Sequence, residues 1–475
     1  MTIPRSSPMP CFRVVRHGVL PAVLCLALHT LPSYAQEAEK VTTYTLAELV
    51  ARALQHNPTV QEHHWKTAQA SADLNQARAA RFLPRLRLES VGGLVPDAKG
   101  DIFNPPADTS GLKRSLGPFS QTELEFVQPI YTFGLLSSLR DAAAAGVEVA
   151  EAAGTDAQLG ASLEVKELYY GLLLARELDD LVTTLSKELA RRREDLDLDD
   201  PELPLSTRYK LELATLELEG KRRQLDTKLH LARATLAWRC GFSDDEHWNL
   251  QADHLAKDST RVPALDSLAA LAAVQRPEWR QLKAGIVARQ AQEAAATAAF
   301  YPQFFLAGGL RYGIAPGRTD QHNPFAVDNF NFSSLGMFVG VQQSFEWGIL
   351  GAKRDKARAQ RLELKSQERA AAAGIRLDVT RAYGDVLESE AGLESAGRSR
   401  TIGKHWIQEA RDEYEFTEEA EDLKDLVAAF ESLAETEQGY HQAVYDYNVA
   451  LARLERAVGV AFTPPPLAPL DRRSD

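Results

Sequence analysis

Two runs of carboxylates are the densest chemistry-bearing groups in the chain. Carboxylates gathered in one place attract cations, and their charge can be screened or protonated. Neither run contains a glycine, and two interpretations stay open: solvated turns, or a cation-attracting constriction if several copies come together. The acidic residues are Asp197, Asp199, Asp200 and Glu202 in the first run, and Glu415, Glu418 and Glu419 in the second.

No other residues have a spacing that indicates a catalytic, cofactor or metal site. Glu62, His63 and His64 are adjacent, which is not the spacing at which a helix presents ligands to one metal ion. Cys240 sits at a helix end, where a packed small hydrophobe is the expectation. The chain has no phosphate-binding glycine loop before a helix and no recognisable nucleophile–histidine–acid signature. We therefore predict a protein without catalytic residues, cofactor or metal.

The N-terminus predicts export. Arg5, Arg13 and Arg16 precede an apolar run over 18–31, and Ser33 and Ala35 supply small residues for cleavage. Residues 1–35 therefore read as a secretory signal peptide. Its removal takes three arginines and no acidic residue, lowering the formal charge from −12 to −15. This balance argues against nucleic acid or an anionic membrane surface as a partner.

The rest of the chain is a duplication. Gly134 and Gly348 are 214 residues apart, and Val165 and Val379 have the same separation. We predict a first repeat over 36–264, a second over 265–460 and a C-terminal tail over 461–475. The elements predicted are a helix (46–81), strands (83–95 and 119–133), a long helix (136–197), a return helix (205–241) and an equatorial segment (242–264), then a helix (265–300), strands (302–314 and 334–347), a long helix (349–416) and a return helix (422–459).

The strands alternate apolar and polar residues and are long enough to cross a bilayer when tilted. Tyr131, Phe133, Phe345 and Trp347 fall at the strand-to-helix junctions, where an interfacial aromatic belt would lie. Four strands cannot close a barrel, and an open edge in lipid leaves backbone groups unpaired. Two copies would give eight strands and a filled interior, whereas three would give twelve strands and an open lumen. By pattern alone, hairpins of a soluble α+β protein stay an alternative.

Several phrases together resemble the TolC family of outer-membrane channel proteins. They are Tyr44–Leu46 with Asn57-Pro58, then Phe82–Pro84, Gln128–Gly134, Trp347-Gly348 and Tyr445–Gly459. The resemblance implies a mainly α fold with membrane β: a homotrimer whose twelve-stranded barrel, four strands per chain, is continuous with a long α-helical barrel in the periplasm. It also implies outer-membrane lipid, a periplasmic adaptor and an inner-membrane transporter as partners, with no nucleic acid.

The resemblance implies a function as well. It is the exit duct of a tripartite efflux or type I secretion system in the outer membrane of a Gram-negative bacterium. Such a duct is a passive conduit and not an enzyme. The helical tips depart from the family, whose members usually turn there with a short glycine-containing loop that meets the adaptor. The alternative function is a soluble periplasmic or surface helical interaction protein.

Overall fold

The computed structural model describes residues 41–100, 103–104, 115–195, 205–243, 245–321, 325, 327–417 and 420–462. The predicted signal peptide and residues 463–475 of the predicted tail lie outside this part. Among the described residues, none of the helices has a stretch apolar and long enough to span a bilayer.

The element order repeats once along the chain. The first half contains β1 (Thr42–Tyr44), α1 (Leu46–His56), α2 (Pro58–Phe82), β2 (Arg85–Pro96), β3 (Leu116–Tyr131), α3 (Leu135–Asp195), α4 (Leu205–Cys240) and β4 (Trp248–Leu250). The second contains α5 (Leu265–Gln275), α6 (Pro277–Ala298), β5 (Gln303–Ile314), β6 (Phe332–Gln342), α7 (Trp347–Thr417) and α8 (Ala420–Val458).

The helices predicted over 46–81 and 265–300 are each two helices. Asn57 interrupts the first, and its side-chain oxygen accepts a hydrogen bond from the backbone N–H of Thr59 at 2.9 Å. Pro58 then begins α2, where its missing N–H costs no helical hydrogen bond. Pro277 begins α6 in the same way after Arg276.

Two sheets are present in the described chain. β2, β3, β5 and β6 form an antiparallel sheet in that lateral order. β1 and β4 form a separate parallel pair, which the sequence did not predict within the equatorial segment. The four-stranded sheet places Leu88, Leu124, Leu310 and Leu335 in one row across the strands. Its outer strands β2 and β6 each keep one edge that no described strand of the same chain pairs.

The helices continue the lateral order of the strands. Near the sheet the order is α2, α3, α6, α7, and at the far end it is α4, α3, α8, α7. The long helices α3 and α7, with 61 and 71 residues, run about 90 and 105 Å at 1.5 Å per residue. Shorter helices therefore share the space beside them. The main core lies at mid-height, where Leu49, Val165, Leu236, Val379 and Leu454 are all fully buried.

Candidate functional site

The aromatic residues predicted at the strand-to-helix junctions form two groups. The rings of Tyr131 and Phe133 are 4.7 Å apart, and Phe133 stacks on Tyr301 at 5.2 Å. Phe345 and Trp347 form a separate edge-to-face pair at 5.8 Å. All four predicted residues are exposed in the single chain, from 38% for Phe133 to 70% for Phe345. Such amphipathic or bulky rings are typical of the level where membrane meets water.

The first junction turns more sharply than the second. Phe133 has a φ of 48° and Gly134 a φ of 91°, so two consecutive residues adopt the left-handed region. This conformation is free for glycine but strained for phenylalanine. It aims the Phe133 ring at Tyr301 and Phe304, two aromatic residues that the sequence analysis missed. The only available signal was the pairing of Phe300-Tyr301-Pro302 with Phe82-Leu83-Pro84 across the repeat.

One side of the four-stranded sheet is apolar. Because side chains alternate along a strand, the row containing Leu88 and Leu335 continues along all four strands. In the single chain Leu88 is 70% exposed and Leu335 is 84% exposed. An exposed apolar surface of this extent marks an interaction with lipid or protein. Its members are Leu86, Leu88, Leu94, Leu124, Phe126, Phe304, Leu306, Leu310, Leu335, Met337, Val339 and Val341.

The other side of the sheet carries charge of both signs. Glu123 lies between Glu89 and Arg311 in the strand register, and Arg311 Nε is 3.4 Å from Glu123 Oε1. Arg87 pairs with Glu89 along β2 at 2.9 Å. A sheet with one apolar and one charged side is the pattern of a membrane strand that faces lipid on one side and a water-filled lumen on the other.

The lateral edges of the helical wall expose apolar stripes. The α4 stripe repeats at three, four, seven or fifteen residues, which keeps it on one face of the helix. Leu213 and Leu231 within it are 65% and 68% exposed. On the opposite edge, Leu377 and Ile402 of α7 are 58% and 70% exposed. The α4 stripe is Leu205, Tyr209, Leu213, Leu216, Leu231 and Trp238, and the α7 stripe is Leu362, Leu377, Leu387, Ile402 and Trp406.

A buried ionic network joins α3, α7 and α8 at mid-tunnel height. Glu437 Oε2 accepts from Arg400 Nε at 2.8 Å, and Glu437 Oε1 lies 3.0 Å from Lys404 Nζ. Burial alone would raise the pKa of Glu437, but hydrogen bonds from Arg400 and Lys404 outweigh it and lower the pKa. His441 lies between Glu437 and Glu177, with nitrogen–oxygen distances of 3.6 and 3.8 Å.

Burial lowers the pKa of His441. Glu177 and Glu437 oppose that shift, and Arg400 and Lys404 reinforce it. The ring therefore favours its neutral form. His441 Nδ1 is buried without a hydrogen-bond partner among the described residues. The sequence analysis did not single out this network, because its members are far apart in the chain and have no common spacing.

The predicted acidic tips lie almost wholly outside the described residues. Asp197, Asp199, Asp200, Glu202, Glu418 and Glu419 fall in the gaps of the description, and for Glu415 only the helical backbone of α7 is described. The described parts of α3 and α7 end at Asp195 and Thr417, and α4 and α8 begin at Leu205 and Ala420. The cation-attracting constriction stays a prediction.

A family model described as outer membrane efflux protein matches residues 49–200. This segment belongs to the outer membrane efflux protein family. The family's description places it in the outer membrane, which agrees with the predicted localisation and confirms the resemblance stated from the sequence. No curated protein matches the chain at the sequence level.

Solved structures of efflux-protein type match nearly the whole chain. The Campylobacter jejuni CmeC outer membrane channel is 16% identical, with a TM-score of 0.70 over 87% of this chain and 85% of its own. The open-state Neisseria gonorrhoeae MtrE outer membrane channel is 17% identical, with a TM-score of 0.68 over 87% and 89%. Vibrio cholerae outer membrane protein VceC is 17% identical, with a TM-score of 0.66 over 88% and 97%. The predicted fold class is thereby confirmed.

Proposed function

We propose that three copies of this chain form a channel whose twelve strands close a barrel in the outer membrane. The supporting observation is that the sheet and the helical wall are open at the same two lateral edges. Unpaired strand edges cannot stay in lipid, because each unsatisfied backbone group costs several kcal/mol. A neighbour's β2 beside β6 would satisfy both edges, and the α7 stripe would meet the neighbour's α2 and α4.

Three is the favoured number of copies. Two chains would supply eight strands, which side chains fill, whereas three supply twelve and leave a lumen. The charged side of the sheet would line that lumen, and the apolar side would face lipid. The aromatic pairs at the junctions would then lie at the periplasmic surface of the membrane.

The channel would serve as the passive exit duct of a tripartite efflux or type I secretion system. Energy would come from an inner-membrane transporter, reached through a periplasmic adaptor at the far ends of the helices. The protein itself would carry out no catalysis. The alternative function, a soluble helical interaction protein, leaves the broad apolar side of the sheet without a partner.

Cysteine cross-linking tests the closed ring. A cysteine at Ser90 in β2 would be combined with cysteines placed one at a time along β6, beginning at Ser333 and Ser334. Oxidation of the purified protein should produce covalent dimers and trimers and no larger species, because a ring of three closes. As a matched control, Ser120 lies in β3 between two strands of its own chain and should give no intermolecular product. A monomer that stays in solution without detergent, and does not cross-link, would favour the alternative function.

We further propose that the acidic residues of the tips form the cation-attracting constriction at the narrow end of the trimer. Threefold repetition would bring the carboxylates of three chains around one axis, where their summed field would select cations. Neutralising Glu415, Glu418 and Glu419 to glutamine should reduce cation preference in single-channel recordings. Unchanged conductance and ion preference would show that the acidic runs are solvated turns.

A further inference from the structure

A groove of about 570 Å³ lies between α3, α6 and α7, just beyond the sheet. Its upper end is formed by the stacked rings of Phe133 and Tyr301. Phe133 is 6.3 Å from Phe304, which belongs to the apolar side of the sheet. The groove therefore opens on the same face of the wall as the surface proposed to contact lipid. Its lining includes Ser138, Gln290, Arg361 and Lys365.

The groove is at the centre of the wall of one chain. α6 lies between α3 and α7, whereas the open edges are formed by α2, α4 and α7. A neighbouring copy added at those edges would leave the groove accessible.

The cationic end of the groove is at the depth of lipid headgroups. The eight residues from Glu293 to Tyr301 cover about 12 Å at helical rise, and Glu293 pairs with Arg361 across α6 and α7. α7 begins at the sheet, and helical side chains point toward the N-terminus of their helix. The long side chain of Arg361 therefore extends toward the membrane, into a headgroup layer that is roughly 5–8 Å thick.

The same face of α7 carries a row of positive charge. Arg354, Arg358, Arg361 and Lys365 follow one another at spacings of four, three and four residues. The Arg354 guanidinium lies 5.7 Å from the centre of the Phe300 ring. Glu293 accepts the Nε–H of Arg361, so that ion pair leaves the two terminal amino groups of Arg361 unused. In the described part of the chain, Arg358 and Lys365 form no ion pair.

We propose that this groove binds the headgroup of an anionic phospholipid from the periplasmic leaflet of the outer membrane. Arg361 and Lys365 would contact the phosphate, and Ser138 and Gln290 would donate hydrogen bonds to its oxygens or to the polar head. Phe133 and Tyr301 would pack against the glycerol and the first acyl carbons. The inference rests on the proposed insertion into a membrane.

The proposal differs from what net charge alone predicts. The formal charge of −12 argues against an anionic membrane partner, but charge acts over about a Debye length of 8–10 Å. Four basic residues on one face of α7 outweigh distant acidic residues at the opposite end of the tunnel. Local charge therefore decides which surface binds a phosphate.

Native mass spectrometry of the detergent-solubilised trimer would measure the binding of phosphatidylglycerol and of phosphatidylcholine. Phosphatidylglycerol should bind more tightly. Replacing Lys365 by glutamate should weaken it about 25-fold, since each unit of charge near an anionic lipid is worth about fivefold in affinity. Lys356→Glu is the matched control, because it makes the same charge change on another face of α7. It should leave lipid binding within about twofold of the unaltered protein, as expected for a charge outside the groove.

The double variant Arg361→Gln with Glu293→Gln gives a second measurement that leaves the net charge unchanged and no carboxylate unpaired. It should weaken phosphatidylglycerol binding while the trimer stays intact. Equal affinity for the two lipids in an intact, conducting trimer would overturn the headgroup site and leave the channel proposal standing. Displacement of the lipid by an equal concentration of inorganic phosphate would also overturn it, because the site would then be one for free phosphate. Failure to form a trimer would instead count against the proposed function.

Discussion

The return helices α4 and α8 occupy equivalent places in the two repeats. Both end at a glycine with positive φ, 66° at Gly241 and 86° at Gly459. Counting back from these glycines by equal steps, Leu236 and Leu454 are both fully buried, as are Cys240 and Val458. The lower ends of the two helices are therefore built alike against the mid-height core.

Farther from that core the two helices differ completely. α8 lies between α3 and α7, whereas α4 has only α3 beside it. Val444 of α8 is 1% exposed, but the equivalent residue of α4 is the exposed Asp226. Glu437 is buried among cations, while its equivalent Glu219 has a side chain that is 60% exposed.

The difference shows what α4 lacks. α8 has a long helix on each side, and the duplication predicts that α4 needs one too. The α4 stripe faces the side where no described element of the same chain lies, and the opposite edge ends in the α7 stripe. A second copy would therefore place its α7 against α4, as the chain's own α7 packs against α8.

The largest effect is expected from placing a charge in the covered helix. Val444→Asp would bury an unpaired carboxylate and should destabilise the protomer by about 3–5 kcal/mol. Far-ultraviolet circular dichroism during thermal unfolding would measure the loss. Leu216→Asp in α4 is the matched control, since Leu216 is 56% exposed, and it should leave protomer helicity and cooperativity unchanged. Equal destabilisation by both substitutions would contradict the comparison.

The second prediction reverses the roles of the two helices. Leu213→Asp combined with Leu216→Asp should dissociate the trimer while each protomer stays folded. Each leucine buried at an interface contributes about 1.5–3 kcal/mol, so the pair should raise the dissociation constant by at least about 100-fold. Light scattering in detergent would report the mass. A trimer of undiminished stability would show that α4 does not contact a neighbouring copy.

The buried network of α8 predicts a pH dependence that α4 lacks. Because the native pKa of His441 is lowered from 6.5, the unfolded state binds more protons than the native state just below that pH. The stabilisation is fully present above pH 6.5 and is lost as pH falls through the lowered native pKa. His441→Gln should flatten the fall of the unfolding temperature in this window. Arg223→Gln, at the equivalent place in α4, is the control, and an unaltered slope in His441→Gln would refute the role of the histidine.

Much of the fold follows from local sequence, because the signals are local. The duplication, the alternation of Leu86 and Leu88 with charged neighbours, and the prolines that begin α2 and α6 each depend on nearby residues. The position of an element at an edge or in the centre is not local. Leu213 and Val444 are both apolar residues on return helices, and only the assembled wall shows that one is exposed and the other buried. The groove could not be predicted for the same reason, since Phe133, Tyr301 and Arg361 come from three separate segments.

The smallest effect concerns the helix caps, where the repeats differ by one side chain. Thr45 accepts from the Glu48 backbone N–H at 3.2 Å, and the Glu48 carboxylate accepts from the Thr45 backbone N–H at 2.8 Å, completing a capping box before α1. The equivalent residue before α5 is Ala264, which has the same extended backbone and no side-chain cap. Thr45→Ala should cost about 1 kcal/mol, and Ala264→Thr should stabilise the protein by up to a similar amount. Denaturant midpoints of the two variants would measure both changes. Opposite signs are required if the two cap sites differ only in the missing hydroxyl, and a loss in both variants would mean that the space before α5 is already filled.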